Sequence, residues 1–313
     1  MTMKKYFLFA AVALMAASCI TDENENANVQ NDNAIRLTSS LPGTVTRATN
    51  GLLEGNSATT SEQNFASATP VKVQVTDTNA SPLSYDAVDY TADGSGGLTT
   101  TPAQYYPASG SAVNIYAYYP SDASTDTDGF AVLLDQGSAA SGDNNYKASD
   151  LMYATLSGIT KSSTDEQRTL TFNHKLSKII VTLAKGTGMT DGEINAATVT
   201  LKGVVYKGTF TPADGSFTAA SADVAANKGD IVIAENASTT AHAAIVVPQD
   251  VAGKKIAVTI NGATLEYTIP ASTTFATGTY NSYTITVAKS GLTVTSTIGN
   301  WNEGSSGSDT LTY

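Results

Sequence analysis

Cysteine occurs once in 313 residues, tryptophan once, histidine twice and arginine three times. One thiol excludes a disulfide framework within the chain and any multi-thiolate metal site. Two histidines, His174 and His242, leave a zinc site short of nitrogen and sulfur donors. Charged residues make up only 14%, and the net charge of −11 comes from scattered Asp and Glu. There is no basic patch to meet phosphate, so nucleic acid is excluded as a partner, and an anionic bilayer surface is a poor one. Long amphipathic helical patterns are missing, as are a Gly-x-Ser-x-Gly elbow, a His-Glu-x-x-His helix and a phosphate-cradling loop. No two carboxylates can be paired from sequence for glycoside hydrolysis. No catalytic residue, metal or cofactor is therefore expected.

What is present begins with an export signal. Lys4 and Lys5 precede an apolar run from Tyr6 to Ala17 that is too short for a permanent membrane span. It ends in Leu14-Met-Ala-Ala-Ser-Cys19, with small residues just before the cysteine. This arrangement resembles a lipobox, in which the Cys19 thiol is acylated and becomes the new N-terminus. Residues 1–18 are then the signal peptide, and the acidic run Thr21 to Asn26 opens a solvated tether.

The remainder is rich in Thr, Ser, Ala, Val and Tyr, with short alternating runs separated by Gly, Asn and Asp. That composition reads as all-β, of the sandwich type. Ile35 to Leu41 is a short β-like stretch. Val71-Lys-Val-Gln-Val75 alternates, and Val113, Ile115, Ala117 and Tyr119 share one face of the next strand. Residues 80–110 and 121–150 read as loop-rich, with weaker strands around Phe130 to Leu134. Between Leu170 and Leu183 the apolar parity changes at Leu176 to Ile179, which predicts a bulge or bend near Ser177-Lys178. Pro212-Ala-Asp-Gly215 and Asn261-Gly262 are turn signals. The polar stretch 162–168 is the expected domain boundary, giving domains over 48–168 and 169–313.

Six segments in order resemble the fimbrillin family: the lipobox, Val113-Asn-Ile-Tyr-Ala-Tyr-Tyr-Pro120, Asp150-Leu-Met-Tyr-Ala154, Leu170-Thr-Phe-Asn-His-Lys-Leu-Ser-Lys178, Ile245-Val-Val-Pro-Gln249, and Gly278 to Val287 followed by Ile298-Gly-Asn-Trp301. The resemblance implies two transthyretin-like β-sandwich domains in tandem, in a surface lipoprotein of the outer membrane that becomes part of a fimbrium. In stalk subunits of that family an Arg-specific protease removes an N-terminal strand, and a strand from a neighbouring subunit fills the groove by β-augmentation. A head-to-tail contact of this kind makes a fibre. On this chain the cut would fall between Arg47 and Ala48, so that residues 19–47 are both tether and removable strand. The donor would be C-terminal: Leu292, Val294 and Ile298 alternate on one face, and Leu311 and Tyr313 form a second short segment. Leu292 to Trp301 reads equally as the last strand of the second domain. The implied partners are other pilus subunits, the protease, the outer membrane through the lipid, and a host or bacterial surface receptor.

A second reading is a lipid-tethered surface module that binds glycan or a host ligand without polymerising. Tyr116 and Tyr118 lie opposite Val113 and Ile115 and are its candidate ligand contacts, since tyrosine faces stack on sugars and also suit interfaces. His174 shares parity with Phe172 and Leu176 and reads as a core imidazole with one hydrogen bond. Ser124 to Asp135 has the rough spacing of a calcium loop but reads better as a solvated acidic loop.

Overall fold

Residues that suit a pleated surface, Val, Ile, Thr and Tyr, fill a long succession of strands with only two five-residue α-helices among the described residues. The computed structural model describes residues 33–41, 64–79, 85–137, 144–162, 166–235, 241–300 and 309–312. Cys19, Arg47, Ala48, Trp301 and Tyr313 lie outside them.

The first half contains β1 (Leu37–Ser40), β2 (Pro70–Asp77), β3 (Val88–Ala92), β4 (Gly97–Thr99) and β5 (Val113–Tyr119). After the two-residue β6 (Phe130–Ala131) and helix α1 (Asn144–Ala148) come β7 (Met152–Ile159), β8 (Arg168–Thr171) and β9 (Asn173–His174). The second half opens with β10 (Ser177–Lys185), helix α2 (Asp191–Asn195), β11 (Thr198–Val205), β12 (Lys207–Thr211) and β13 (Ser216–Ala219). It continues through β14 (Lys228–Val232), β15 (Ala234–Glu235), β16 (Ala241–Val246), β17 (Gln249–Asp250) and β18 (Lys255–Ile260). The last strands are β19 (Ala263–Thr268), β20 (Thr274–Phe275), β21 (Thr279–Ala288), β22 (Gly291–Asn300) and β23 (Asp309–Thr312).

Eight strands of the first half form one sheet in the order β8-β1-β4-β3-β2-β5-β7-β9. Its two edge strands, β8 and β9, are separated in the chain by Phe172 alone, so the sheet wraps round and brings its edges together. Inside lies a core of Leu37, Val71, Val73, Val75, Ile115, Leu170 and Phe172, the inward members of each alternation. A second core is shared by the sheet β15-β16-β10-β21-β22-β23 and the sheet β14-β11-β18-β19, through residues such as Ile179, Val181, Ile285, Val199 and Ile256.

Three sequence expectations are sharpened by this arrangement. The parity change near Leu176 is a change of sheet: β9 pairs with β7 in the first sheet, the chain bends at Leu176, and β10 starts in the second. Core membership changes between Phe172 and Leu176, so residues 169–174, placed in the second domain by sequence, pair in the first sheet. The loop-rich segment 121–150 contributes to the opposite core. Phe130, Val132 and Tyr146 pack with the second cluster, and β6 pairs with β12. Both turn signals hold: Gly215 has φ 67°, and Asn261 and Gly262 have φ 50° and 78° in the hairpin joining β18 to β19. At Gly215 a Cβ would also meet the Tyr153 ring at 2.2 Å, so the turn and the packing both demand glycine.

His242 on β16 is buried, and its Nδ1 has no hydrogen-bond partner. Desolvation lowers its pKa from 6.5 to about 4. The unfolded chain therefore takes up a proton at higher pH than the folded one, and stability falls as pH drops from 6.5 towards 4. The loss is on the order of 3 kcal/mol at about 1.4 kcal/mol per unit. Urea midpoints measured over this range should fall in the native chain. They should fall by less in His242→Leu.

Candidate functional site

The feature that stands apart is β1, a strand drawn from the N-terminal end and inserted between two others. It pairs parallel to β8, with Leu37 opposite Arg168 and Ser40 opposite Thr171, and antiparallel to β4, with Leu37 opposite Leu98. Further hydrogen bonds extend the docking at both ends: Ile35 N–H donates to the Gln104 carbonyl at 2.8 Å, and Phe172 N–H donates to the Ser40 carbonyl at 2.9 Å. β1 is the one strand that β8 pairs with among the described residues.

Alternation decides which side chains the strand commits to the core. Ile35, Leu37, Ser39 and Leu41 are buried, and the residues between them are half-buried. They pack into the same cluster as Phe65, Leu98, Leu170 and Phe172, where Phe65 and Phe172 meet edge-to-face at 5.0 Å. The backbone fits closely at Ser39, whose N–H donates to the Gly96 carbonyl at 2.7 Å. Gly96 has φ 103°, and a Cβ there would lie 3.3 Å from the Ser39 carbonyl oxygen and 2.9 Å from the Asn64 side chain. Only glycine meets both demands. On the outward side Thr38 Oγ1 donates to Thr169 Oγ1 at 2.9 Å. The sequence carried a signal for this floor in Asp93-Gly-Ser-Gly-Gly97, but nothing local linked it to residue 39.

Two of the three arginines are held in this ladder. The Arg36 carbonyl accepts from Arg168 N–H at 2.9 Å, and the Arg168 guanidinium pairs with Glu166 at 3.0 Å and donates to the Thr160 carbonyl. A protease that binds its substrate as an extended strand needs those backbone groups free.

Where the first core meets the second lies a buried pair. His174 Nδ1 is 2.7 Å from Asp150 Oδ1, and both side chains are fully buried. A carboxylate only accepts, so Nδ1 carries the proton. Lys175 N–H donates to the Leu151 carbonyl alongside, and the buried Lys178 ammonium sits 5.8 Å from the centre of the Tyr146 ring. This matches the expected core imidazole. The motifs around Asp150 and His174 thus meet in space and tie the turn before β7 to the crossing between cores.

The candidate ligand tyrosines are not on a free face. Tyr118 is buried with its ring edge-on to Phe210 at 5.3 Å, and Tyr116 is half-buried against the same second core. Parity correctly put them opposite Val113, but that opposite face is covered. At the C-terminal end, Leu292, Val294 and Ile298 lie on β22, which pairs antiparallel with β21 along its whole length, and Leu311 lies on β23, the outermost strand of that sheet. No group of three or more His, Cys, Asp or Glu side chains able to hold a metal occurs among the described residues.

The all-β scaffold, with two cores and multiple sheets, is shared with proteins of known structure. It superposes on the crystal structure of a candidate cell adhesion protein from Bacteroides uniformis with a TM-score of 0.64 at 22% identity, covering 86% of this chain and 98% of that one. A second such protein, from Bacteroides ovatus, gives 0.64 at 19% identity over 86% and 97%. The candidate fimbrium subunit Fim1C of Bacteroides uniformis is 27% identical over 214 residues, 66% of this chain and 67% of that protein. The family profile described as fimbrillin-like matches residues 46–301, and the chain belongs to that family.

Proposed function

We propose that the chain is a structural pilus subunit, not a catalyst, that polymerises by protease-triggered strand exchange. It reaches the outer membrane as a lipoprotein acylated at Cys19. An Arg-specific protease cuts between Arg47 and Ala48, and residues 20–47 leave with the lipid. A strand from another subunit then takes the place of β1. Whether the mature fibre also meets a host or bacterial receptor is a separate property of its exposed surface.

The observation that carries this reading is the insertion of β1 between β8 and β4. β1 and its flanks, the first described segment of the chain, contribute Ile35, Leu37 and Leu41 to the core, and Arg47 lies six residues after Leu41. Arg36 and Arg168 are engaged in the ladder, which supports Arg47 as the site of cutting. Loss of the strand would leave two open strand edges and an apolar floor, the surface a donor strand needs.

The test is Arg47→Ala expressed in cells that make the fibre. Subunits carrying it are expected to stay monomeric, while the parent chain gives heat-labile ladders on gels. Ladders of normal length from the variant would refute the trigger.

A further inference from the structure

One inward position of the second core is polar. Along β21 the buried residues are Asn281, Tyr283, Ile285 and Val287, and the asparagine comes first. Its register neighbours are Ile179 on β10 and Ile298 on β22, so the carboxamide stands between two isoleucines. Asn281 is 1% exposed, and neither Oδ1 nor Nδ2 has a hydrogen-bond partner. A buried amide in that state has given up its bonds to water and gained none in return. Leucine, of nearly the same shape, would fill the position without that cost.

The amide lines a crevice whose apolar walls are Pro270, Tyr283 and Ile298. Thr273, Ser296 and Thr297 complete it, and none of the described residues that line it is charged. Its depth takes a group the size of one water molecule, and Ile298 beside it is 37% exposed. A primary amide presents a donor and an acceptor side by side. One hydroxyl serves both, donating its hydrogen to Oδ1 while its oxygen accepts from Nδ2, and it needs no more room than a water. A carboxylate only accepts and an ammonium only donates, and either would shed its water here with no counter-charge to meet it. The net charge of −11 adds repulsion against anions.

The carrier of that hydroxyl is also constrained. A serine or threonine hydroxyl sits one carbon from a peptide backbone, whose N–H and C=O the apolar walls would leave unpaired. A sugar ring carries hydroxyls at its edge and C–H groups on its face, so one hydroxyl can enter while the face rests on Pro270 and Ile298. We propose that this crevice is a subsite for a neutral sugar, with Asn281 holding one hydroxyl. It lies far along the chain from Tyr116 and Tyr118, whose face is covered. The inference does not depend on removal of β1.

The full chain, with isotopic nitrogen in its asparagine side chains, is titrated with glucose, galactose and mannose and followed by NMR. The Asn281 signal is the one absent from Asn281→Leu. At least one of these sugars is expected to shift it saturably, at one site per chain. Glucuronate should need about tenfold more, the loss that one hydrogen bond of ordinary net strength brings. Asn281→Leu should lose the binding while its Tm rises, so that the loss is not one of folding. A signal that contacts water and moves with none of the sugars means that the crevice holds a water only, and the proposal fails. It fails equally if a sugar binds Asn281→Leu as tightly as the parent chain, or if glucuronate binds as tightly as the neutral sugars.

Discussion

A chain stripped of β1 and kept from any donor loses about 5–9 kcal/mol of stability, from three fully buried aliphatic side chains at roughly 1.5–3 kcal/mol each. Those side chains are Ile35, Leu37 and Leu41. Domains of ordinary size hold a total of about 5–15 kcal/mol, so the first core is brought to the edge of unfolding. The effect should be local. β8 would have no strand to pair with among the described residues, and β4 would keep only β3. Amide exchange should therefore become fast at Arg168–Thr171 and Gly97–Thr99, while β10 and β21 in the second core stay protected. Adding a peptide of residues 34–42 should restore protection. Unchanged exchange at β8 after removal would mean that β1 is an ornament of the sheet and not its keystone.

Asp150→Ala is the substitution with the next largest expected effect. It removes the acceptor from a histidine that is fully buried 2.7 Å away. Leaving a buried polar group without this partner costs about 1–3 kcal/mol, because the group stays out of water. Asp150→Asn keeps an acceptor for His174 Nδ1 and should cost less than the alanine change. Denaturant unfolding of the two variants gives the comparison, and equal losses would show that the hydrogen bond is not what the pair contributes. Since the contact sits where the chain passes between cores, unfolding of both cores should shift together.

Much of this was legible in the sequence where the signal is local. Val71 to Val75 and Val113 to Tyr119 show their strand period directly, and Asn261-Gly262 specifies a hairpin through two residues that accept positive φ. What alternation cannot report is whether the second face of a strand is covered. Tyr118 has the right parity for an exposed ring, yet Phe210, ninety-two residues later, sits over it. Phe130 to Leu134 read as a weak strand, but nothing local showed that Phe130 and Val132 join the second core. The parity change at Leu176 was visible, but one residue of slip has the same appearance whether a strand bulges or leaves its sheet. The groove was half legible: the alternation of Ile35 to Leu41 marked a strand, while its insertion between β4 and β8 depends on residues 97–171, which only the fold brings near.

Cys19 and Arg47 give the account its central claim, that the lipid is a delivery tether which departs with the strand holding the groove shut. The most direct measurement is the N-terminal sequence of the protein recovered from the cell surface, read together with its mobility unheated on a gel. The account predicts a start at Ala48 in molecules that run as ladders. A lipidated Cys19 on every ladder-forming molecule would contradict it, because β1 would then still be attached in the fibre.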